Sequence, residues 1–126
     1  MLRVLARVGP SPIHGLGLFA LEPIEAGTVL WAWSPGWDLE LTVDAVDAAA
    51  PALRDWVSTY GWREGGVWHV PADDTRFMNH STTPNCDPTA PEGTVALRRI
   101  EAGEEIVEDY STFDPDFESY SAGLRP

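Results

Sequence analysis

Three short runs hold the residue types that do chemistry. Tyr110 ends the acidic segment Glu104-Glu105-Ile106-Val107-Glu108-Asp109. Asn79-His80-Ser81 stands within Arg76-Phe77-Met78-Asn79-His80-Ser81-Thr82-Thr83-Pro84-Asn85, and Gly15-Leu16-Gly17 lies near the start. A tyrosine hydroxyl can orient a nucleophile and set an oxygen dipole beside developing charge. A carboxylate such as Glu108 can hold an ammonium through a charge-assisted hydrogen bond. Each run alone also has an ordinary structural explanation. Tyrosine is commonly a core aromatic with its hydroxyl at the surface, Asn-His-Ser a turn, and Gly-x-Gly a tight bend of backbone.

Several other chemistries are disfavoured by context. Gly15-Leu16-Gly17-Leu18-Phe19-Ala20 satisfies the dinucleotide fingerprint G-x-G-x-x-A, which needs a strand before it and a helix after it; here Ser11-Pro12 precedes and Glu22-Pro23 follows. Asn79-His80-Ser81 matches a glycosylation acceptor, an empty match without a secretory signal. His14, His69 and His80 follow no recognised metal-ligand spacing, and Cys86 is the only cysteine. Neither an internal disulfide nor a thiolate zinc cluster can be built, and no metal is expected.

Positioning these runs falls to short strands. Residues 3–8 and 17–33 read as β, separated by Gly9-Pro10-Ser11-Pro12 and interrupted by a turn at Glu25-Ala26-Gly27. Ile24-Glu25-Ala26-Gly27 recurs as Ile100-Glu101-Ala102-Gly103, so the same strand-turn-strand corner is expected twice. Leu53, Trp56, Val57 and Tyr60 fall at helical spacing, with Pro51 in the first turn and Gly61 at the end; a shorter helical turn over 43–49 takes Thr42 as its N-cap. Gly65-Gly66 reads as a turn into Val67-Trp68-His69-Val70, and Thr94-Val95-Ala96-Leu97 as another strand. The pattern is a mainly β domain over residues 1–113 with a helical insert at about 43–60 and a tail or flap at 114–126.

Composition narrows the partners. A chain of 126 residues with 44% hydrophobic content fills one modest core. The formal net charge of -12 opposes sequence-independent nucleic-acid binding and favours a cationic partner. All eight basic residues are arginines, so the chain has no lysine side chain of its own to modify. Neither a membrane-spanning run nor a secretory signal is evident, and the protein is expected to be soluble and cytoplasmic. Abundant Ala, Gly, Pro and Arg without Lys suggest a GC-rich, bacterial coding sequence.

The three runs, in this order, closely resemble the signature segments of SET-domain protein-lysine methyltransferases. A zinc-binding cysteine segment of the kind that follows the signature tyrosine in many relatives is not expected here. The resemblance implies the β-clip SET fold, in which the C-terminal signature threads beneath the Asn-His loop as a pseudoknot. It implies S-adenosylmethionine as cofactor, with Gly15, Leu16 and Gly17 approaching its methionine part and Arg76, Phe77, Asn79, His80 and Tyr110 completing the site. It implies Tyr110 as the catalytic residue and Asp109 as a local structural support.

Tyr60, Trp68 and Glu108 are the expected substrate-channel residues, drawn from a set that includes Trp31, Trp33 and Trp62; an aromatic channel can grip a lysine stem and its cationic head. Where many histone-directed relatives carry Phe or Tyr two residues before the catalytic tyrosine, this chain has Glu108. The implied function is methylation of a lysine ε-amine on a protein substrate. A small-molecule amine as acceptor, or a non-catalytic SET-fold binding module, are the alternatives. The C-terminal aromatics Phe113, Phe117 and Tyr120 are candidates for packing on the adenine.

Overall fold

Two turns of identical sequence tie the halves of the domain together. In the computed structural model, which describes residues 1–114, Gly27 and Gly103 adopt φ of 82° and 84°. Only glycine takes that conformation without strain, so both copies of Ile-Glu-Ala-Gly turn the chain in the same way. Ile24 and Ile100 then exchange both backbone hydrogen bonds at 2.8 Å. The repeated corner is therefore paired with itself across the core.

Around this pair lie three small sheets. β1 (Ala6–Pro10) and β2 (Leu16–Ala20) form an antiparallel hairpin. The expected long β segment at 17–33 splits at the Gly27 corner into β2 and β3 (Val29–Trp31). β4 (Leu39–Thr42) leads into α1 (Val43–Asp47), whose first turn is capped by Thr42 Oγ1 accepting from the Ala45 N–H at 3.1 Å. α2 (Pro51–Tyr60) begins at Pro51, where a missing N–H costs nothing. β5 (Trp62–Glu64) and β6 (Val67–Val70) form a hairpin about Gly65-Gly66.

β7 (Asn79–His80), β8 (Cys86–Asp87), β9 (Thr94–Ala96) and β10 (Glu105–Glu108) complete the set. The sheet orders are β1-β2-β10-β7, β3-β9-β8 and β4-β6-β5. β10 lies antiparallel to β2 on one side and parallel to β7 on the other. The C-terminal segment is thus inserted between the first hairpin and the Asn-His strand, as the SET pseudoknot requires.

Gly61 ends α2 as expected. Its φ of -106° is open to any residue. A Cβ there would stand 2.8 Å from the His69 carbonyl oxygen and 2.9 Å from that of Val57. Glycine is needed because β6 passes against the helix end.

The main core gathers Leu18, Leu30, Met78, Cys86, Ile100 and Ile106, all essentially buried; burial of such large aliphatic side chains stabilises by roughly 1.5–3 kcal/mol each. A second cluster, Val46, Val57, Trp68 and Val70, glues the two helices to the β4-β6-β5 sheet.

Asn85 belongs to the core although it is polar, at 2% exposure. Its side-chain amide donates to the Glu105 carbonyl at 2.7 Å and its Oδ1 accepts from the Val107 N–H at 2.9 Å. It serves as one more strand pairing with β10, so both of its polar ends are satisfied. No helix among the described residues is long and apolar enough to cross a membrane.

Candidate active site

β10 delivers Tyr110 to the Asn-His strand. Register pairs Val107 with Asn79 and Glu108 with His80. One residue beyond the strand, Asp109 caps a tight turn, its Oδ1 accepting from the Ser111 N–H at 3.0 Å and the Ser111 hydroxyl at 2.6 Å. Within that turn the Tyr110 N–H donates to His80 Nδ1 at 3.1 Å, and the Tyr110 hydroxyl donates to the Met78 carbonyl. The His80 and Tyr110 rings meet edge to face at 5.4 Å. Because Nδ1 accepts a hydrogen bond, neutral His80 carries its proton on Nε2. Asp109 Oδ1 lies 3.6 Å from Nδ1, within ion-pair distance of the ring in its protonated form.

Asn79 faces the other way and holds the glycine loop. Its Nδ2 lies 3.1 Å from the His14 carbonyl, 3.0 Å from that of Leu16 and 2.9 Å from Glu105 Oε1. The same Glu105 carboxylate accepts from the Ser11 hydroxyl at 2.8 and 2.9 Å. One carboxylate thus pins both ends of the β1-β2 turn to the Asn-His strand. Gly15 sits at the tip with φ of 46°, and a Cβ there would meet nothing within 4 Å.

A single cavity of about 760 Å³ joins these parts. It is lined by Gly15, Leu16, Arg76, Phe77, Asn79 and His80 together with Tyr60, Glu108 and Tyr110. Nearly every residue expected at the site therefore borders one space. Two do not. Gly17 lies in β2 with its α-carbon against Glu105; an added Cβ would come within 2.2 Å of Glu105 Oε1. Its lack of a side chain makes room for the loop-holding carboxylate. Trp68, expected in the channel, instead belongs to the second core at 6% exposure. Strand alternation explains this: Trp68 and Val70 point towards α2, while His69 points to the opposite face.

On that opposite face Trp62 stacks on His69 at 5.4 Å and meets Trp33 edge-on at 5.9 Å and Trp31 at 6.3 Å. Trp31 and Trp62 reach the cavity wall, and Phe113 bridges Trp62 and Tyr110 at 5.5 and 5.7 Å. Phe117 and Tyr120 lie outside the described residues. Tyr60 also lines the space, but its ring already has a cation near it: the Arg76 guanidinium lies 5.8 Å from the Tyr60 centroid and 4.6 Å from that of Phe77.

Electrostatics separates the two acidic residues of β10. Glu105 is held by hydrogen bonds. The Glu108 carboxyl forms no hydrogen bond or ion pair among the described residues, and loss of hydration by burial pushes its pKa up to about 8. Neighbouring Cys86 is inert: burial first, then the Glu108 and Asp87 charges, hold its thiol protonated, and its Sγ lies 3.2 Å from the Val107 carbonyl.

Glu105, Ser11 and the Met78 carbonyl contact residues of the candidate site and were not singled out by motif reading. Glu105 was legible only as one carboxylate of an acidic run.

The SET domain family model matches residues 15–111, spanning all three segments. No curated protein matches the chain. Among solved structures, Chaetomium thermophilum Polycomb Repressive Complex 2 bound to GSK126 is similar at a TM-score of 0.69 and 23% identity, over 97% of this chain and 18% of that one. A humanized mutant of the same complex, bound to the same inhibitor, is similar at a TM-score of 0.65 and 24% identity, over 92% and 16%. A Plasmodium falciparum protein described as a histone methyltransferase is similar at a TM-score of 0.60 and 21% identity, over 86% of this chain and 95% of that one. This chain thus spans less than a fifth of the Polycomb chains it resembles. The fold and the shared cavity define a SET-type domain, and the chain belongs to the SET-domain family.

Proposed function

We propose that this domain transfers a methyl group from S-adenosylmethionine to the ε-amine of a lysine on a protein substrate. The observation carrying the reading is the single cavity that unites the Gly15-Leu16 loop, the Asn79-His80 strand and Tyr110. The donor set fits the cofactor. Exposed backbone at Gly15 and Leu16 and the Asn79-His80 edge suit a zwitterionic and heterocyclic ligand, and buried Thr75 Oγ1, Arg76 Nε and Trp31 Nε1 in the wall have no hydrogen-bond partner among the described residues. Gly15, Leu16, Arg76, Phe77, Asn79, His80 and Tyr110 are the residues assigned to hold it. When bound, it supplies an electrophilic methyl on a sulfonium.

The chain's own groups do the rest. Tyr110 orients the acceptor nitrogen with its hydroxyl oxygen and stabilises positive charge developing there. Its backbone N–H, bound to His80, and the ring contact with Phe113 hold that hydroxyl in place. Trp31, Trp62 and Phe113 offer apolar walls for a methylene stem, while Tyr60 braces Arg76. Aligning two reactants in a narrow dry site can supply much of the rate gain of a displacement. The net charge of -12 favours a basic segment of the protein substrate. A bacterial, cytoplasmic setting completes this reading.

Calorimetric titration of S-adenosylmethionine into the protein and into Asn79→Ala tests the cofactor site. Micromolar binding, weakened at least about 10-fold in the variant, is expected. Incubation with methyl-labelled cofactor and lysate tests the acceptor: label in protein supports the proposal, label in small metabolites moves the acceptor class, and absence of label with intact binding favours a binding module.

A further inference from the structure

Glu108 stands where an aromatic residue is common among relatives, and its placement points to a specific task. It lies two residues before Tyr110 on the same segment and borders the same cavity. Its backbone is anchored: the Ser81 N–H donates to the Glu108 carbonyl at 2.9 Å, and the residue is in register with His80. Its carboxyl, in contrast, has no hydrogen-bond or ion-pair partner among the described residues. An acidic group kept in a ligand cavity without a structural partner is available to the ligand.

We infer that Glu108 accepts the proton of the incoming lysine ammonium, so that the acceptor reaches Tyr110 as a neutral amine. This rests on the methyltransferase reading above. In the step, one N–H bond of the ammonium breaks and an O–H bond forms on the Glu108 carboxylate. The bonding pair stays on nitrogen as the nucleophilic lone pair, and the proton leaves to solvent once product departs.

The surroundings favour this direction of transfer. His80 on β7 and Cys86 and Asp87 on β8 are the titratable groups beside Glu108; Tyr110 and Asp109 follow it in the chain. Elsewhere the cavity wall carries His14, Tyr60, Glu64, Arg76 and Asp114. Among the described wall residues Arg76 is the sole permanent cation, and it is engaged with Phe77, Tyr60 and the Asp73 carbonyl at 3.0 Å. Among the described residues no cation is paired with Glu108, so burial raises its proton affinity while the same desolvation lowers that of an ammonium. Out of water a neutral acid and amine replace a costly ion pair.

The test is the pH profile of kcat/KM for wild type and Glu108→Gln, a near-isosteric change whose folding is checked by thermal melting. Wild type should rise with unit slope to about pH 8 and then level. The variant should rise on to about pH 10.4, the free amine value, and at pH 8 lose on the order of 100-fold. Superimposable profiles overturn the inference. Carboxyl carbon-13 NMR of Glu-labelled protein provides a readout without turnover. The Glu108 signal should titrate near 8, and at pH 9 added n-butylammonium should shift it back towards the protonated position. Titration near 4.5, or no shift with the amine, overturns it. Failure of the methyltransferase reading would show separately, as loss of cofactor binding in the wild-type protein.

Discussion

The Asn79 side-chain amide lies 2.9 Å from Glu105 Oε1, a contact between residues 26 apart that fixes the glycine loop to the Asn-His strand. Hydrogen bonds to charged groups contribute about 1.5–3 kcal/mol, and here the contact also sets the shape of the cavity. Glu105→Ala should weaken S-adenosylmethionine binding at least about 10-fold by calorimetry. Gly17→Ala should weaken it too, because the new methyl would strike the Glu105 carboxylate. In the Glu105→Ala background that second cost should largely vanish, and a double-mutant cycle reads the difference.

Tyr110→Phe removes only the hydroxyl that meets the Met78 carbonyl. Turnover should fall by roughly 100-fold or more, the scale on which single oriented dipoles act, while cofactor affinity changes about twofold at most. Activity equal to wild type would remove Tyr110 from its assigned role.

Asn85→Leu would keep the branched shape and delete both hydrogen bonds to β10, stranding the Glu105 carbonyl and the Val107 N–H in the core. Each unsatisfied buried group costs about 1–3 kcal/mol. Urea unfolding should show a loss of about 2–5 kcal/mol with an unchanged slope.

Two glutamates should give stability opposite dependences on pH. Glu104 is held down to about 2, chiefly by its hydrogen bond from Arg98. Its contribution is complete above 4.5 and disappears as pH falls towards 2. Glu108, raised to about 8, does the reverse: the folded state binds a proton that the unfolded chain has released, so stability declines as pH rises from 4.5 to 8. Glu108→Gln should flatten the decline and Glu104→Gln the acid-side rise, as followed by urea midpoints at pH 3, 5 and 8.

Much of the local structure was legible from sequence because its causes are local. Thr42 caps α1 by accepting from the N–H three residues ahead, Pro51 opens α2, and both Ile-Glu-Ala-Gly corners turn at their glycine. Gly61 was legible as the end of a helix, but the constraint that requires glycine there, β6 passing nearby, was not. Trp68 was misplaced because period-2 alternation tells which residues share a face, not which face meets α2. Tyr60 was legible as an aromatic near the site, but its engagement with Arg76 required the fold.

By itself the chain determined its turns, its helical insert, the order of its three signature segments and its acidic balance, all properties of residue type and short spacing. Only the tertiary structure decided that β10 lies between β2 and β7, that Glu105 binds Asn79 while Glu108 borders the cavity unpaired among the described residues, and that Gly17 yields space to a carboxylate. Adjacent strand residues point to opposite faces, so glutamates three apart in one short strand take environments set by whatever packs on each face. Burial and proton affinity follow from those neighbours, which are remote in sequence and adjacent only once the chain has folded.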